Sequence, residues 1–468
     1  MSRQTSILIW AMLFCGAAAG QPPRDIRLLF TGDILLSRQV AAELEFRKAS
    51  PWAGFQELFQ SADWVGGNFE GTLGLQLDCM AHAQPCFATP VSAVELLKKS
   101  GFAAVTVENN HAGDLGQPGR ERTLLRFREA GLLALDFAQS PQFLKFGGIT
   151  VAVVAITTVR AADGRVQEIP SVEVAQKLRL ARLLANLVVV SIHWGNELQD
   201  WSSDVQREQA RWLVKHGAGL IVGHHPHVVQ QAECVEGAPV FYSLGNHVFD
   251  QKYPETKDGL IADCRISGGK LACGGIATRT PPGTFIPAIL GVHAETSAAL
   301  GSCTAKLNDD LVLHGFHIRP VPWDAEQSTD GLTLTGWREG QLAWQSRRQH
   351  ALSLQLAPFL GADNSPLLFS LERHFSPIDR EDGVRPYVYD VGPHGLIAKW
   401  RGSALAWPLL DAVVDGSGTL CALHRGDSFA VLNPRTKETR VEAYRWKGFG
   451  FAGVSSPGAA DNCREVLQ

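Results

Sequence analysis

Six short polar segments of this chain carry side chains that bind cations or move protons. Asp33 follows Thr31-Gly32, and Glu70 follows Asn68-Phe69. Asn110 and His111 follow Glu108-Asn109, and His193 opens His193-Trp194-Gly195-Asn196-Glu197. His225 and His227 close the run Gly223-His224-His225-Pro226-His227, and Asn246 follows Ser243-Leu244-Gly245. Carboxylates offer charged oxygens, Asn110 an amide oxygen, and neutral imidazoles a nitrogen lone pair near pH 7. Such a mixed oxygen and nitrogen set without thiolate suits Mn, Zn, Fe or Mg. One or two such ions can clamp a water and a substrate oxygen and lower the water's pKa. His111 would then protonate the leaving oxygen as a general acid. Arg38, His224, Glu197 and Asn246 are candidates for contacting substrate or orienting a ligand. Each residue also has a plainer role open to it: Asp33 can cap a helix, His193 can be a satisfied core histidine, and Arg38 can be a solvated helix residue.

These segments follow apolar runs. Residues 26–30, 103–107, 151–156, 187–192 and 220–222 read as strands, with helices between them. Residues 91–100 stop before Gly101, Pro118 stands near the start of a helix running to Gly131, and Ser203 with Gln206 forms a capping-box signature. Strand–helix alternation predicts an α/β fold with a largely central sheet, whose strands share one carboxyl edge where ligands collect. Beyond about residue 320, short runs at 332–337, 352–356, 387–391, 396–400 and 429–432 are separated by Gly, Pro, Asp and Asn, which predicts a β-rich region.

Bulk properties narrow the function. With 468 residues, two domains are expected; the 45% hydrophobic content supports a real core, and the net charge of −4 argues against a nucleic-acid binder. Arg3, an apolar stretch over 7–14 and Ala17-Ala18-Ala19-Gly20 read as a secretory leader over residues 1–20. Removing it takes away Cys15 and leaves eight cysteines, an even number that predicts disulfides in an exported protein. Cys79 with Cys86 and Cys264 with Cys273 are the expected pairs; the other pairings stay open.

Taken in order, Gly32-Asp33-Ile34-Leu35, Asn68-Phe69-Glu70, Asn109-Asn110-His111, the His193–Glu197 run, Gly223-His224-His225-Pro226-His227 and Tyr242-Ser243-Leu244-Gly245-Asn246 closely resemble the CapA family of capsule and poly-γ-glutamate synthesis. The resemblance covers roughly residues 25–290. It implies a calcineurin-like metallophosphoesterase fold, a four-layer α/β/β/α sandwich, over about 25–300, followed by a β-rich accessory region over 320–468. It further implies Asp33, Glu70, Asn110, His193, His225 and His227 as ligands to one or two divalent metal ions, with His111 as catalytic acid. Two departures stand out. Leu35 replaces the imidazole expected two positions after Asp33, and Glu70 replaces a bridging Asp. His247 sits where an aromatic residue such as Phe is more usual, either as an extra pocket residue or as a neutral replacement.

The resulting expectation is an exported metal-binding protein at the cell envelope. It would act on an anionic polymer or small anionic substrate, with membrane-bound synthase partners and no nucleic acid. Its chemistry would be metal-dependent hydrolysis or transfer. A non-catalytic polymer-binding protein and a periplasmic phosphodiesterase or nucleotidase are the alternatives.

Overall fold

The computed structural model describes residues 25–467, apart from residues 84, 325–330, 362, 377–379, 403–404, 406, 427–437 and 457. The expected leader over 1–20 and the run at 429–432 lie outside the described residues. Among the described residues no helix is long and apolar enough to cross a membrane.

The α/β region contains two sheets, where the strand pattern alone predicted a largely central one. In the first, strands β1 (Ile26–Ile34), β2 (Trp64–Phe69) and β3 (Ala104–Thr106) run parallel. The second is built on parallel β4 (Ile149–Thr157), β5 (Leu187–His193) and β6 (Leu220–His224). The segment β7 (Asn246–Val248) crosses back to pair parallel with β1. An antiparallel hairpin, Asp258–Ser267 with Lys270–Arg279, extends the first sheet beside β1.

Why these strands are apolar throughout follows from their two buried faces. Along β4, Val151, Val153 and Ala155 point into a core shared with Leu28 and Phe30 of β1, while Ala152, Val154 and Ile156 point the other way. The shared core lies between the sheets. On the outer side of the first sheet, Val40, Val94, Leu97 and Phe127 come from helices α1 (Arg38–Arg47), α2 (Ser92–Lys99) and α3 (Gly116–Glu129). On the outer side of the second, Val174, Leu178, Ala210 and Leu213 come from α4 (Val172–Leu184) and α5 (Asp204–Lys215). The predicted capping box opens α5: Gln206 N–H donates to Ser203 Oγ at 3.2 Å, and Ser203 N–H to Gln206 Oε1 at 2.9 Å.

The β-rich region comprises two antiparallel sheets, one of four strands starting at Leu311–Leu313 and one of eight starting at Ala351–Leu360. The larger sheet has its own core around Phe359, Phe369 and Leu371. Its junction with α4 is both apolar and charged. Arg179 on α4 forms two hydrogen bonds to Asp411, at 2.6 and 2.8 Å, and Gln176 Nε2 donates to Asp411 Oδ1 at 2.9 Å. Both expected disulfides form, and Cys234–Cys303 and Cys421–Cys463 complete the set of eight.

Candidate metal centre

The carboxyl ends of the parallel strands from both sheets meet at one place. The β1–β2 register shifts between Phe30 and Asp33, a local irregularity of the kind that re-aims a side chain. Asp33 N–H donates to Gly245 O at 2.9 Å and Leu35 N–H to Val248 O at 2.8 Å, which ties the end of β1 to Gly245 and β7. Gly32 is required there, because a Cβ would collide with the Gly245 carbonyl oxygen. From the second sheet, β5 delivers His193, and β6 ends at His224 before the turn through His225 and His227.

The six predicted metal ligands, Asn110 among them, converge with His224. Asp33, Glu70, His193, His224, His225 and His227 are all buried. Asp33 Oδ1 lies 3.2 Å from His224 Nδ1, and Asp33 Oδ2 lies 3.2 Å from His227 Nδ1. Glu70 Oε2 is 3.8 Å from His227 Nε2, and Glu70 Oε1 is 3.9 Å from His193 Nδ1. His193 Nε2 and Asn110 Oδ1 are 2.8 Å apart, and the His193 and His225 rings are 4.7 Å apart. His224 thus lies beside Asp33, while Asn246 Oδ1 lies 3.0 Å from His227 Nδ1 and orients that ring.

Charge is concentrated here. Burial alone would raise Asp33, yet His224 and His227 hold it well below the usual carboxylate range. Burial and then the neighbouring Asp33 push Glu70 well above that range. Burial opposes charging His227, but Glu70 and Asp33 outweigh it and raise the imidazole to about 9. Burial, then His227, lowers His225 to about 3; burial, then His225, also lowers His193. Two carboxylates so close share a proton unless a cation takes its place. Glu70 Oε2 and His225 Nδ1 are buried without a hydrogen-bond partner among the described residues. Each is a cost of about 1–3 kcal/mol that coordination would relieve. The ligand atoms of Asp33, Glu70 and His227 lie within 4.8 Å of one another. This donor set fits a divalent cation.

His111 stands at the rim. Its Nδ1 is 3.0 Å from Asp114 Oδ2, and its ring stacks on Phe87 with centroids 3.7 Å apart. Asp114 Oδ2 also accepts the Phe87 backbone N–H at 2.7 Å, so one carboxylate oxygen holds the His111 ring and the Phe87 main chain. Arg38 is drawn to protein partners: it pairs with Asp250, and its guanidinium lies 4.4 Å from the Phe87 centroid. Trp194 is buried against Tyr242, whereas Trp201 is 72% exposed.

His247 is a packing residue, which resolves its two sequence readings in favour of the neutral replacement. Its ring packs edge-on against Phe55 at 5.1 Å, and both its nitrogens are buried without hydrogen-bond partners among the described residues. Burial lowers its pKa to about 3, below the roughly 6.5 of an unfolded histidine. Between these values the unfolded chain binds the proton and the folded chain does not. Stability is therefore lost as pH falls from 6.5 toward 3, by about 1.4 kcal/mol per unit. His247→Phe should remove that slope and raise stability at pH 5 by about 2 kcal/mol, as read by urea denaturation at pH 5 and 7. Equal effects at both pH values would show that His247 is not the titrating group.

Sequence reasoning missed two supports. Asn68 Nδ2 donates to Asp33 Oδ1 at 2.9 Å and to Glu70 Oε1 at 3.0 Å, and its own Oδ1 accepts from Asn109 Nδ2 at 3.0 Å. Its place two residues before Glu70 was the available signal. Glu108, fully buried, meets Arg120 at 3.4 Å and Arg165 at 3.3 Å and accepts the Phe137 N–H at 3.0 Å. It anchors the turn that carries Asn109, Asn110 and His111.

Residues 27–251 match the family model described as "Bacterial capsule synthesis protein PGA_cap". The chain is 31% identical over 282 residues to the PGA biosynthesis protein CapA of Bacillus subtilis (strain 168), covering 56% of this chain and 74% of that protein. The chain belongs to this capsule synthesis family. A second relative, the capsule biosynthesis protein CapA of Bacillus anthracis, is 30% identical over 269 residues, covering 52% of this chain and 64% of its own length. The PGA_cap match takes in Asp33, Glu70, Asn110, His193, His225 and His227 together.

Proposed function

We propose that this chain is an exported, cation-dependent protein of capsule or poly-γ-glutamate synthesis, acting on an anionic polymer or a small anionic substrate at the cell envelope. Its α/β region would be a metallophosphoesterase-like four-layer sandwich. The observation that carries the reading is the buried group of Asp33, Glu70 and His227, with the Glu70 Oε2 atom left unpartnered among them. The polymer comes from the names of the relatives. Export is supported by the leader-like start of the sequence and by four disulfides, which suit an oxidising compartment. Membrane-bound synthase partners belong to the same proposal.

A bound Mn, Zn, Fe or Mg ion would supply an activated water and polarise a substrate oxygen. The side chains of this protein would do the rest. Asp33, Glu70 and His227, with Asn110, His193 and His225, would hold the ion. Asn68 fixes both carboxylates, and His111, held by Asp114 and Phe87, would give a proton to the leaving oxygen of a phosphoester or the leaving nitrogen of an amide. A second reading, polymer binding without turnover, is favoured by Leu35, which is buried among apolar side chains and offers no ligand.

Elemental analysis of the purified protein should find a divalent cation, and a panel of phosphodiester, nucleotide and γ-glutamyl substrates should show Mn-stimulated turnover. Both should vanish when Asp33→Ala and His225→Ala are combined. A bound cation with no turnover on the panel selects the binding reading. Turnover that survives in the double variant overturns the mechanism.

A further inference from the structure

Glu197 sits four residues beyond His193, in a loop fastened to the histidine turn. Trp194 N–H donates to His224 O at 3.2 Å, and Leu198 N–H donates to Pro226 O at 2.9 Å. Farther along, Gln230 Nε2 donates to Gln199 O at 2.8 Å and to Trp201 O at 3.2 Å. These bonds bracket Glu197 on both sides and hold it over His225 and His227.

The backbone is forced into shape here. His225, His227 and Leu198 have φ of 98°, 60° and 60°, left-handed values that side chains other than Gly seldom adopt. Each costs about 1–3 kcal/mol and persists only where the surroundings impose it. The outcome is a cluster in which Glu197, His225 and His227 each place a ligand atom within 4.8 Å of the others. His225 Nδ1 is buried and unpartnered among the described residues, while Glu197 is exposed. His227 belongs to both this group and the inner group of Asp33 and Glu70.

We propose that Glu197 is a ligand to a divalent cation, completing with His225 and His227 the solvent-facing half of the centre. The proposal rests on the cation-binding reading above. Two imidazoles and one carboxylate leave coordination positions open for water or an anionic substrate, and they suit Fe(II), Mn or Zn. The sequence marks Glu197 only as a candidate for contacting substrate or orienting a ligand.

The test is a Mn²⁺ titration of the full chain, following free Mn²⁺ by electron paramagnetic resonance, with elemental analysis after desalting. Wild type, Glu197→Gln, Glu197→His and Asp33→Asn are compared. Glu197→Gln should lose one bound equivalent or bind more weakly by at least about tenfold, the smallest loss seen for residues that only orient a ligand. Glu197→His should restore uptake, since an imidazole can replace the carboxylate. The exposed position predicts an unchanged melting temperature for both in chelator. Glu197→Gln titrating like wild type, while Asp33→Asn loses cation, overturns this proposal and leaves the centre itself standing. A wild-type protein that takes up no cation overturns the reading on which it rests.

Discussion

Asp33→Asn should weaken Mn²⁺ binding by more than about 100-fold, beyond what loss of an orienting residue causes. Asp33 is the carboxylate around which the candidate centre is organised. It accepts the Asn68 amide at 2.9 Å and the His225 N–H at 3.2 Å, and lies 3.2 Å from both His224 and His227. The amide removes the charge and puts an NH₂ group where an acceptor is needed. Because the His225 N–H or the Asn68 NH₂ then faces a donor, the metal-free protein should also lose about 1–3 kcal/mol of stability. Isothermal titration with Mn²⁺ and urea denaturation in chelator measure the two effects separately. A Kd within a few-fold of wild type would remove Asp33 from the ligand set.

Glu108→Ala should destabilise the fold by about 3 kcal/mol, the lower end for breaking a buried charge pair. Its carboxylate is fully buried and is shared by Arg120, Arg165, Gln167 and the Phe137 N–H. The lower end applies because each arginine keeps a second carboxylate, Arg120 with Asp136 at 2.8 Å and Arg165 with Asp163 at 2.7 Å. Glu108→Gln should cost less, since it still offers an oxygen to these donors. Urea midpoints of the two variants decide the matter. A loss below about 0.5 kcal/mol in Glu108→Ala, typical of an inconsequential surface change, would mean that the network contributes nothing.

The convergence of Asp33, Glu70, Asn110, His193, His225 and His227 was legible in the sequence because each follows an apolar run, and such strands end on a common edge. What the strand pattern could not report is that β1–β3 and β4–β6 belong to different sheets. A run such as residues 151–156 is apolar on both faces, and nothing in it says which face meets helices and which meets another sheet. The supporting residues were harder still. Apart from the Asn68–Glu70 and Asp114–His111 contacts, Asn68, Glu108 and Asp114 act through partners 12 to 59 positions away, distances that spacing does not encode. Among the cysteines, short separations made Cys79–Cys86 and Cys264–Cys273 readable. Cys234 and Cys303, 69 residues apart, meet only because the chain returns through the hairpin to the shared core.

The underside of α4 carries a last implication. Val174 and Leu178 sit in one uninterrupted apolar cluster with Leu311, Leu334, Leu354 and Tyr389 of the β-rich sheets, sealed by the Arg179–Asp411 pair. The α/β region therefore has no finished exterior of its own on that side. Severed near residue 310, it would present an oily flank to water and tend to stick to itself, so the later sheets are the lining that keeps the earlier half a soluble body.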